Sequence, residues 1–314
     1  MGQKQDTRVS RYAPVIVFAY NRADLIQKTL AALNSNELAS ESDLYVFSDG
    51  PKKDKNIPQV EEVRQFLREY TKKMTFHNVS VIYASSNQGL AKSVISGVNQ
   101  IISKYNRVIV VEDDLICNHN FLRYMNDCLD YYQDNQRIWS ISGYTYQLPN
   151  LKNSNSVYFT WRGSSWGWAT WNDRWSSVNW DIKTYGNYHL NLRKRHCLER
   201  AGHDLLTMLD NQKKGIIDSW AVRWVYQQCM RGMLTVYPPV TLLHNEGLDG
   251  SGTHGVASGN EEIKSLASVD YKLVADPAVD RKINREFMTH FRNPLFVYLA
   301  NGFFHSFHIQ KHFD

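Results

Sequence analysis

In the first third of the chain, apolar positions follow two rhythms. Short unbroken runs rich in β-branched and aromatic residues occur at Val15–Tyr20 (VIVFAY), Leu44–Ser48 (LYVFS), Val79–Ala84 (VSVIYA) and Val108–Val111 (VIVV). Between them lie stretches of helical spacing. These are Ala23–Leu33 (apolar at Leu25, Ile26, Leu30 and Leu33), Val60–Tyr70, and Gly89–Ser103 (apolar at Leu90, Val94, Val98 and Ile101). The runs predict strands buried on both faces, and the stretches between them predict amphipathic helices. Strand and helix in alternation predict an α/β fold, a mostly parallel Rossmann-like sheet flanked by helices. Ligands on such sheets bind beyond the carboxyl ends of the strands. The informative positions are therefore Asn21-Arg22, Asp49-Gly50, Asn87-Gln88-Gly89 and Glu112-Asp113-Asp114.

After about Leu151 the pattern changes. A Trp/Gly-rich stretch (Trp161–Trp180) precedes a basic segment of helical character (Leu190–Met208), a second helical run (Asp218–Met230) and a glycine-rich loop (Gly247–Gly259). With no repeat and no low-complexity linker, one continuous domain in three segments is expected: residues 1–150, 151–260 and 261–314.

Composition narrows the field. Hydrophobic residues at 43% and charged residues at 21% describe a chain that can bury a core, which excludes a disordered protein. The net charge of +5 is scattered, and its densest run (Arg193, Lys194, Arg195) is soon followed by Glu199, which argues against a nucleic-acid partner. Cys117, Cys128, Cys197 and Cys229 show no CxxC spacing and are expected as reduced thiols of a cytoplasmic protein. The N-terminus lacks the apolar core of a signal peptide, and no apolar stretch reaches membrane-spanning length. The tail Pro294–Phe307 is too short to cross a bilayer. It is expected to dock, either peripherally on the inner face of a membrane or on a second copy of the chain. Six of the nine tryptophans fall between Trp161 and Trp180, which a merely well-filled core would not require.

Glu112-Asp113-Asp114 is the sharpest chemical feature. Three consecutive carboxylates after a buried strand repel one another unless a cation or tight hydrogen bonding offsets them. Hard carboxylate oxygens suit Mn²⁺ or Mg²⁺, bound through one or two carboxylates plus substrate phosphates. The alternative is a solvated acidic turn capping the helix that begins near Asn118–Phe121. The glycine loop, including Gly250 and Gly252, permits close backbone approach and suits a lid that orders over a diphosphate. His254 or His244 could add a metal or phosphate contact, and Asp249 is a further acid nearby. Either histidine could equally be a polar loop residue. The tryptophans carry two readings, since indole faces stack on sugar rings and also fill cores. Trp166 and Trp168, beside Gly163 and Gly167, suit a cleft wall, with Trp220 facing it. Trp175 and Trp180 suit a core.

Val15–Arg22 (VIVFAYNR), Phe47–Pro51 (FSDGP) and Val110–Leu115 (VVEDDL) resemble the nucleotide-sugar half of GT-A glycosyltransferases, in particular N-acetylglucosaminyltransferase I and similar bacterial sugar transferases. The resemblance continues in order through Ile138–Gly143 (IWSISG), Arg162–Trp175 (RGSSWGWATWNDRW), Asp218–Trp220 (DSW) and Pro238–Gly255 (PPVTLLHNEGLDGSGTHG). It implies a GT-A fold, with 1–150 as the nucleotide-sugar half and 151–260 as the acceptor side. It also implies a nucleotide-sugar donor, UDP-linked by preference, and a glycan or lipid-linked glycan acceptor. Asp114 would be the direct metal ligand, Glu112 and Asp113 would touch donor sugar and ribose, Asp49 would read base or ribose, and Arg22 would lie against the nucleotide. For an inverting transfer Asp218 is the candidate general base, with an ordinary helix N-cap as the competing role. The related enzyme has two adjacent acids before its Trp where this chain has Asp218-Ser219.

Two rivals remain. A sugar-nucleotide pyrophosphorylase would show a glycine-rich phosphate loop after the first strand, and Tyr20-Asn21-Arg22 contains no glycine. A non-catalytic carbohydrate-binding protein would explain the tryptophans but not the acidic triplet.

Overall fold

A computed structural model describes residues 10–249 and 268–291. β1 (Val15–Ala19) is buried along its whole length. Its period-two alternation divides it between two cores: Val15, Val17 and Ala19 face one, Ile16 and Phe18 the other. α1 (Ala23–Asn34) places Ile26, Leu30 and Leu33 in the first core. β2 (Asp43–Ser48) pairs parallel to β1, and α2 (Ile57–Tyr70) adds Val63 and Leu67 to the face that α1 covers. β3 (Asn78–Tyr83) pairs parallel to β2 at the sheet's edge, where its side chains stay partly open. α3 (Leu90–Tyr105) lies on the opposite face, burying Val94, Val98 and Ile101 in the second core, although Leu90 itself is exposed. β4 (Arg107–Glu112) then inserts beside β1, again parallel. The alternation of strand and helix read along the chain is the doubly wound arrangement it predicts.

The chain continues through β5 (Leu115–Cys117), α4 (Phe121–Tyr132), β6 (Ile138–Ser142), β7 (Tyr158–Thr160), β8 (Trp168–Trp171), α5 (Asn172–Ser176), α6 (Leu192–Glu199), α7 (Leu205–Lys213), α8 (Trp220–Arg231), β9 (Leu234–Tyr237), β10 (Leu243–Asn245) and α9 (Arg281–Phe287). One eight-stranded sheet, in the order β3-β2-β1-β4-β8-β6-β9-β7, runs through both halves of the sequence. It is parallel on its first four strands. β8 then enters antiparallel between β4 and β6, and β7 lies antiparallel on β9. β5 and β10 form a separate two-stranded antiparallel ribbon at the carboxyl end of β4.

The second half departs from the sequence-based expectation in two places. The basic segment forms two helices rather than one, because the chain turns at Gly202, whose φ of +157° suits glycine. A Cβ there would stand 2.1 Å from Arg162 Nη1, which is engaged with Asp204. The tryptophans also sort differently. Trp168 exposes 1% of its surface and Trp220 3%, so neither forms the wall of an open cleft, contrary to the expectation for both. Trp168 sits on β8 opposite Val110 of β4, and its ring packs 5.0 Å from Trp220, 5.5 Å from Trp175 and 5.8 Å from Trp224. Trp139 and Trp180 join the same cluster. These rings stitch α8 and α5 to the sheet, and indoles of this size are the strongest apolar anchors available. Trp166 is half-buried, edge-on to Tyr144 at 4.7 Å.

Trp168→Ala should therefore lower unfolding free energy in urea by about 3–5 kcal/mol. Trp166→Ala, from a half-buried site, should cost clearly less. Equal losses at the two positions would contradict the core assignment.

Candidate active site

β4 ends at Glu112, which stands beside Phe18 of β1. The next two residues, Asp113 and Asp114, form the turn into β5. Both aspartates are buried, and Glu112 is half-buried. Asp113 is held from several directions. Its Oδ2 accepts the Tyr20 amide at 3.3 Å, its Oδ1 pairs with Arg22 Nη2, and its carbonyl accepts Thr29 Oγ1 at 2.9 Å. Arg22 Nη2 also donates to Asp114 Oδ2 at 2.9 Å. One guanidinium thus faces two adjacent carboxylates, with a third just behind. Arg22 precedes α1, whose first backbone bond runs from Ile26 to the Arg22 carbonyl, so the helix fixes the arginine in place.

The charge balance leaves a mark on the acids. Burial, reinforced by Asp114 and Asp113, pushes the Glu112 carboxyl up to about 8 despite Arg22. Burial also lifts Asp113 to about 6, with Arg22 opposing and Asp114 adding to the rise. Burial tends to lower Arg22, but Asp113 and Asp114 outweigh it and hold the guanidinium above its ordinary value.

The β5–β10 ribbon closes the site from the other side. Leu115 pairs with Asn245, which brings the Glu246 amide to the Asp114 carbonyl at 2.9 Å. Gly247 follows. A Cβ on it would stand 2.2 Å from Asp114 Oδ2 and 2.9 Å from Arg22 Nη1, so only glycine lets the backbone approach this closely. Asp114 Oδ1 and Arg22 Nη1 are buried without a hydrogen-bond partner among the described residues. A buried, unpartnered carboxylate oxygen is costly unless something else coordinates it.

Asp49 occupies the end of β2, and its amide donates to Ala19 O of β1 at 2.9 Å. Its Oδ1 accepts from Gly50 N and Gln88 N, both at 2.8 Å. Its Oδ2 accepts from Asn87 Nδ2 at 3.0 Å and Gly89 N at 3.1 Å. The carboxylate therefore staples two loops together. Two of the four post-strand positions singled out from the sequence are one hydrogen-bonded unit, joined to the Tyr20–Arg22 segment beside the acids.

Asp218 lies before α8, largely exposed, with Oδ1 2.9 Å from Arg223 Nη2. The N-cap of α8 is Ser219, whose side chain accepts from Val222 N. Asp218 is thus not the cap that the sequence left open. Its helix is tied to the acidic end of the sheet through Trp220, Trp168 and Val110, the last two residues before Glu112 being Val110 and Val111. His244 is half-buried on β10 opposite Ile116. Gly250, Gly252 and His254, expected as the lid, lie outside the described residues, as does the tail expected to dock on a membrane or second copy. For Asp249 only the backbone, in a 3-10 turn, is described.

Among the described residues no group of three or more His, Cys, Asp or Glu side chains forms a metal cage. The residues present still suit a divalent cation of the kind completed by substrate phosphates: a hard carboxylate oxygen, buried and unpartnered, on Asp114. Sequence reasoning missed the close packing of Gly247 on Asp114. The signal lay in view, since Gly247 opens the glycine loop.

This is the α/β architecture of GT-A glycosyltransferases, with an acidic turn at the carboxyl end of a central strand. The chain belongs to glycosyl transferase family 2, whose profile matches residues 15–191, more than half its length. Curated proteins gave no match. Among solved structures, TarS from S. aureus is similar over 41% of this chain and 21% of its own, at 19% identity and a TM-score of 0.32. The mannosyltransferase PcManGT from Pyrobaculum calidifontis, in complex with GDP-Man and Mn²⁺, is similar over 53% of this chain and 49% of its own, at 12% identity and 0.35. A UDP-glucose pyrophosphorylase complexed with UDP-glucose is similar over 72% and 90%, at 10% identity and 0.34. The chain thus spans about a fifth of TarS and half of PcManGT. Likeness at this level discriminates neither donor nor acceptor.

Gly247→Ala should destabilise the protein by about 1–3 kcal/mol through the clash with Asp114. Unchanged chemical denaturation would show that the backbone does not pack on the acid.

Proposed function

We propose that the protein is an inverting glycosyltransferase that moves a sugar, a hexose or N-acetylhexosamine, from a nucleotide donor, UDP-linked by preference, to a hydroxyl of a glycan or lipid-linked glycan. The observation that carries the reading is the buried, unpartnered Asp114 Oδ1 at the end of β4, facing a site that one arginine leaves short of positive charge. A Mn²⁺ or Mg²⁺ ion there would act as a Lewis acid on the leaving diphosphate. Asp114 would hold the ion, with Asp113 and Glu112 against ribose and donor sugar. Arg22 braces the two aspartates and, through Nη1, has a donor to offer the diphosphate. Asp49 keeps the loops at Gly50 and Asn87–Gly89 together as one wall of the nucleotide cleft. Gly250, Gly252 and His254 remain the proposed lid. The chemistry of this site serves equally for a pyrophosphorylase, but the family match and the absence of glycine after β1 favour transfer.

Asp218 is the proposed base. Ser219 takes the cap, so the largely exposed Asp218 carboxylate, paired with Arg223 of α8, is free of the capping role at the head of that helix, where we propose the acceptor binds. There it would take the proton of the attacking hydroxyl as the sugar–oxygen bond forms and the diphosphate departs from the opposite face. Trp166, half-buried, is the remaining candidate for an indole against a sugar.

Two experiments test these roles. Asp114→Ala should abolish Mn²⁺-dependent hydrolysis of the nucleotide-sugar, and unchanged hydrolysis would sink the metal assignment. Asp218→Asn should keep nucleotide binding by calorimetry while transfer falls by about two orders of magnitude or more. Full transfer in that variant would remove Asp218 from the mechanism.

A further inference from the structure

The three most exposed large apolar side chains among the described residues are Leu190 (82%), Leu192 (79%) and Ile216 (61%). They are far apart in sequence but not in the fold. α6 and α7 are joined by a short turn at Ala201–Asp204 and pack on each other, so the start of α6 and the end of α7 lie at the same end of a helical hairpin. Side-chain contacts confirm the juxtaposition. Tyr188 donates to Asp210 Oδ1 at 2.8 Å, His189 Nε2 stands 2.9 Å from the same oxygen, and Lys213 lies over the Tyr188 ring. The residues just before α6 thus touch those at the end of α7.

The same tip is basic. Arg193, Lys213 and Lys214 are exposed and lie within one to three residues in sequence of Leu192 or Ile216. Among the described residues none of the three has a carboxylate partner. The acids at this end of the hairpin are already engaged: Asp210 with Tyr188 and His189, and Asp218, two residues past Ile216, with Arg223. α6 buries only Leu198, so little of its surface is spent on the core. Exposed apolar side chains beside exposed cations that lack carboxylate partners match the chemistry of an anionic bilayer surface, where the side chains enter the headgroup layer and the cations meet lipid phosphates.

We propose that the tip of the α6–α7 hairpin docks the protein on the surface of an anionic phospholipid membrane. This surface is distinct from the C-terminal tail. Its position has a consequence that rests on the transferase reading above. Gly215-Ile216-Ile217 leads straight from the tip to Asp218, and Gln212 Oε1 of α7 accepts the Ser219 amide at 2.7 Å. A docked tip would therefore hold the proposed base near the membrane surface, within reach of the sugar of a lipid-linked acceptor.

The test is co-sedimentation of the full chain with phosphatidylglycerol/phosphatidylcholine vesicles and with pure phosphatidylcholine vesicles. The protein should pellet with the anionic vesicles, and high salt should weaken the binding. Leu190→Ser/Leu192→Ser/Ile216→Ser and, separately, Lys213→Glu/Lys214→Glu should each weaken binding on the order of tenfold or more while leaving the melting temperature and transfer to a water-soluble acceptor unchanged. No binding to anionic vesicles, or binding by either variant as tight as that of the unmodified protein, overturns the proposal. So does a tip whose substitution abolishes self-association or RNA binding and leaves vesicle binding intact. Vesicle binding needs no donor or metal, so its failure leaves the transferase reading standing. Equally, an inactive Asp114→Ala that still binds vesicles leaves the docking surface standing.

Discussion

Three carboxylates emerge together from the end of a buried strand, and a single guanidinium opposes them. Much of the surrounding structure follows from keeping that arrangement in place. Arg22 is anchored at the head of α1, the Tyr20 amide and Thr29 hydroxyl fix Asp113, and the β5–β10 ribbon folds Gly247 onto Asp114 with no room for a side chain. The compensation is incomplete: Glu112 is lifted to about 8, and one oxygen of Asp114 is left without a partner. That cost, at the carboxyl end of a central strand, is what supports the proposed ligand that brings its own positive charge.

The tryptophan cluster supplies the second constraint. Its six rings are not sugar platforms but the joint between the parallel sheet and α8. Because Trp168 pairs with Val110 of β4 and packs on Trp220, the head of α8 is referenced to the strand that carries the acids. The head of α8 and the strand that carries the acids thus share one packed contact. The same helix head is tied to α7 through Gln212. The hairpin tip, the proposed base and the acidic turn thus form a connected series.

Much of this was legible in the sequence where burial is two-sided and periodicity strong. β1, β2, β4 and the three helices between the first four strands stand within a few residues of the apolar runs that foretold them, and the four post-strand positions do meet at one end of the sheet. Less was legible where the information is not local. The run of tryptophans carries no period that separates a strand from a cleft, and β8 became a strand because β4 and β6 both needed a neighbour. The break at Gly202 lies inside a basic, helix-favouring segment, where a single glycine does not by itself mark a turn. Gly247 looked like one of several lid glycines. Its contact with Asp114 depends on pairing between β5 and β10, which lie more than a hundred residues apart. Arg22, expected against a nucleotide by resemblance, is also the counter-ion of Asp113 and Asp114, a role visible only once α1 sets its position.

The central claim is that Asp114 receives a nucleotide diphosphate together with a divalent cation. The most direct measurement is thermal denaturation of the unmodified protein with UDP, GDP and dTDP, each with and without Mn²⁺. The account predicts a clear rise in melting temperature with one nucleotide only when Mn²⁺ is also present. A rise of equal size after chelation of all divalent metal, or no response to any nucleotide with Mn²⁺, would contradict it.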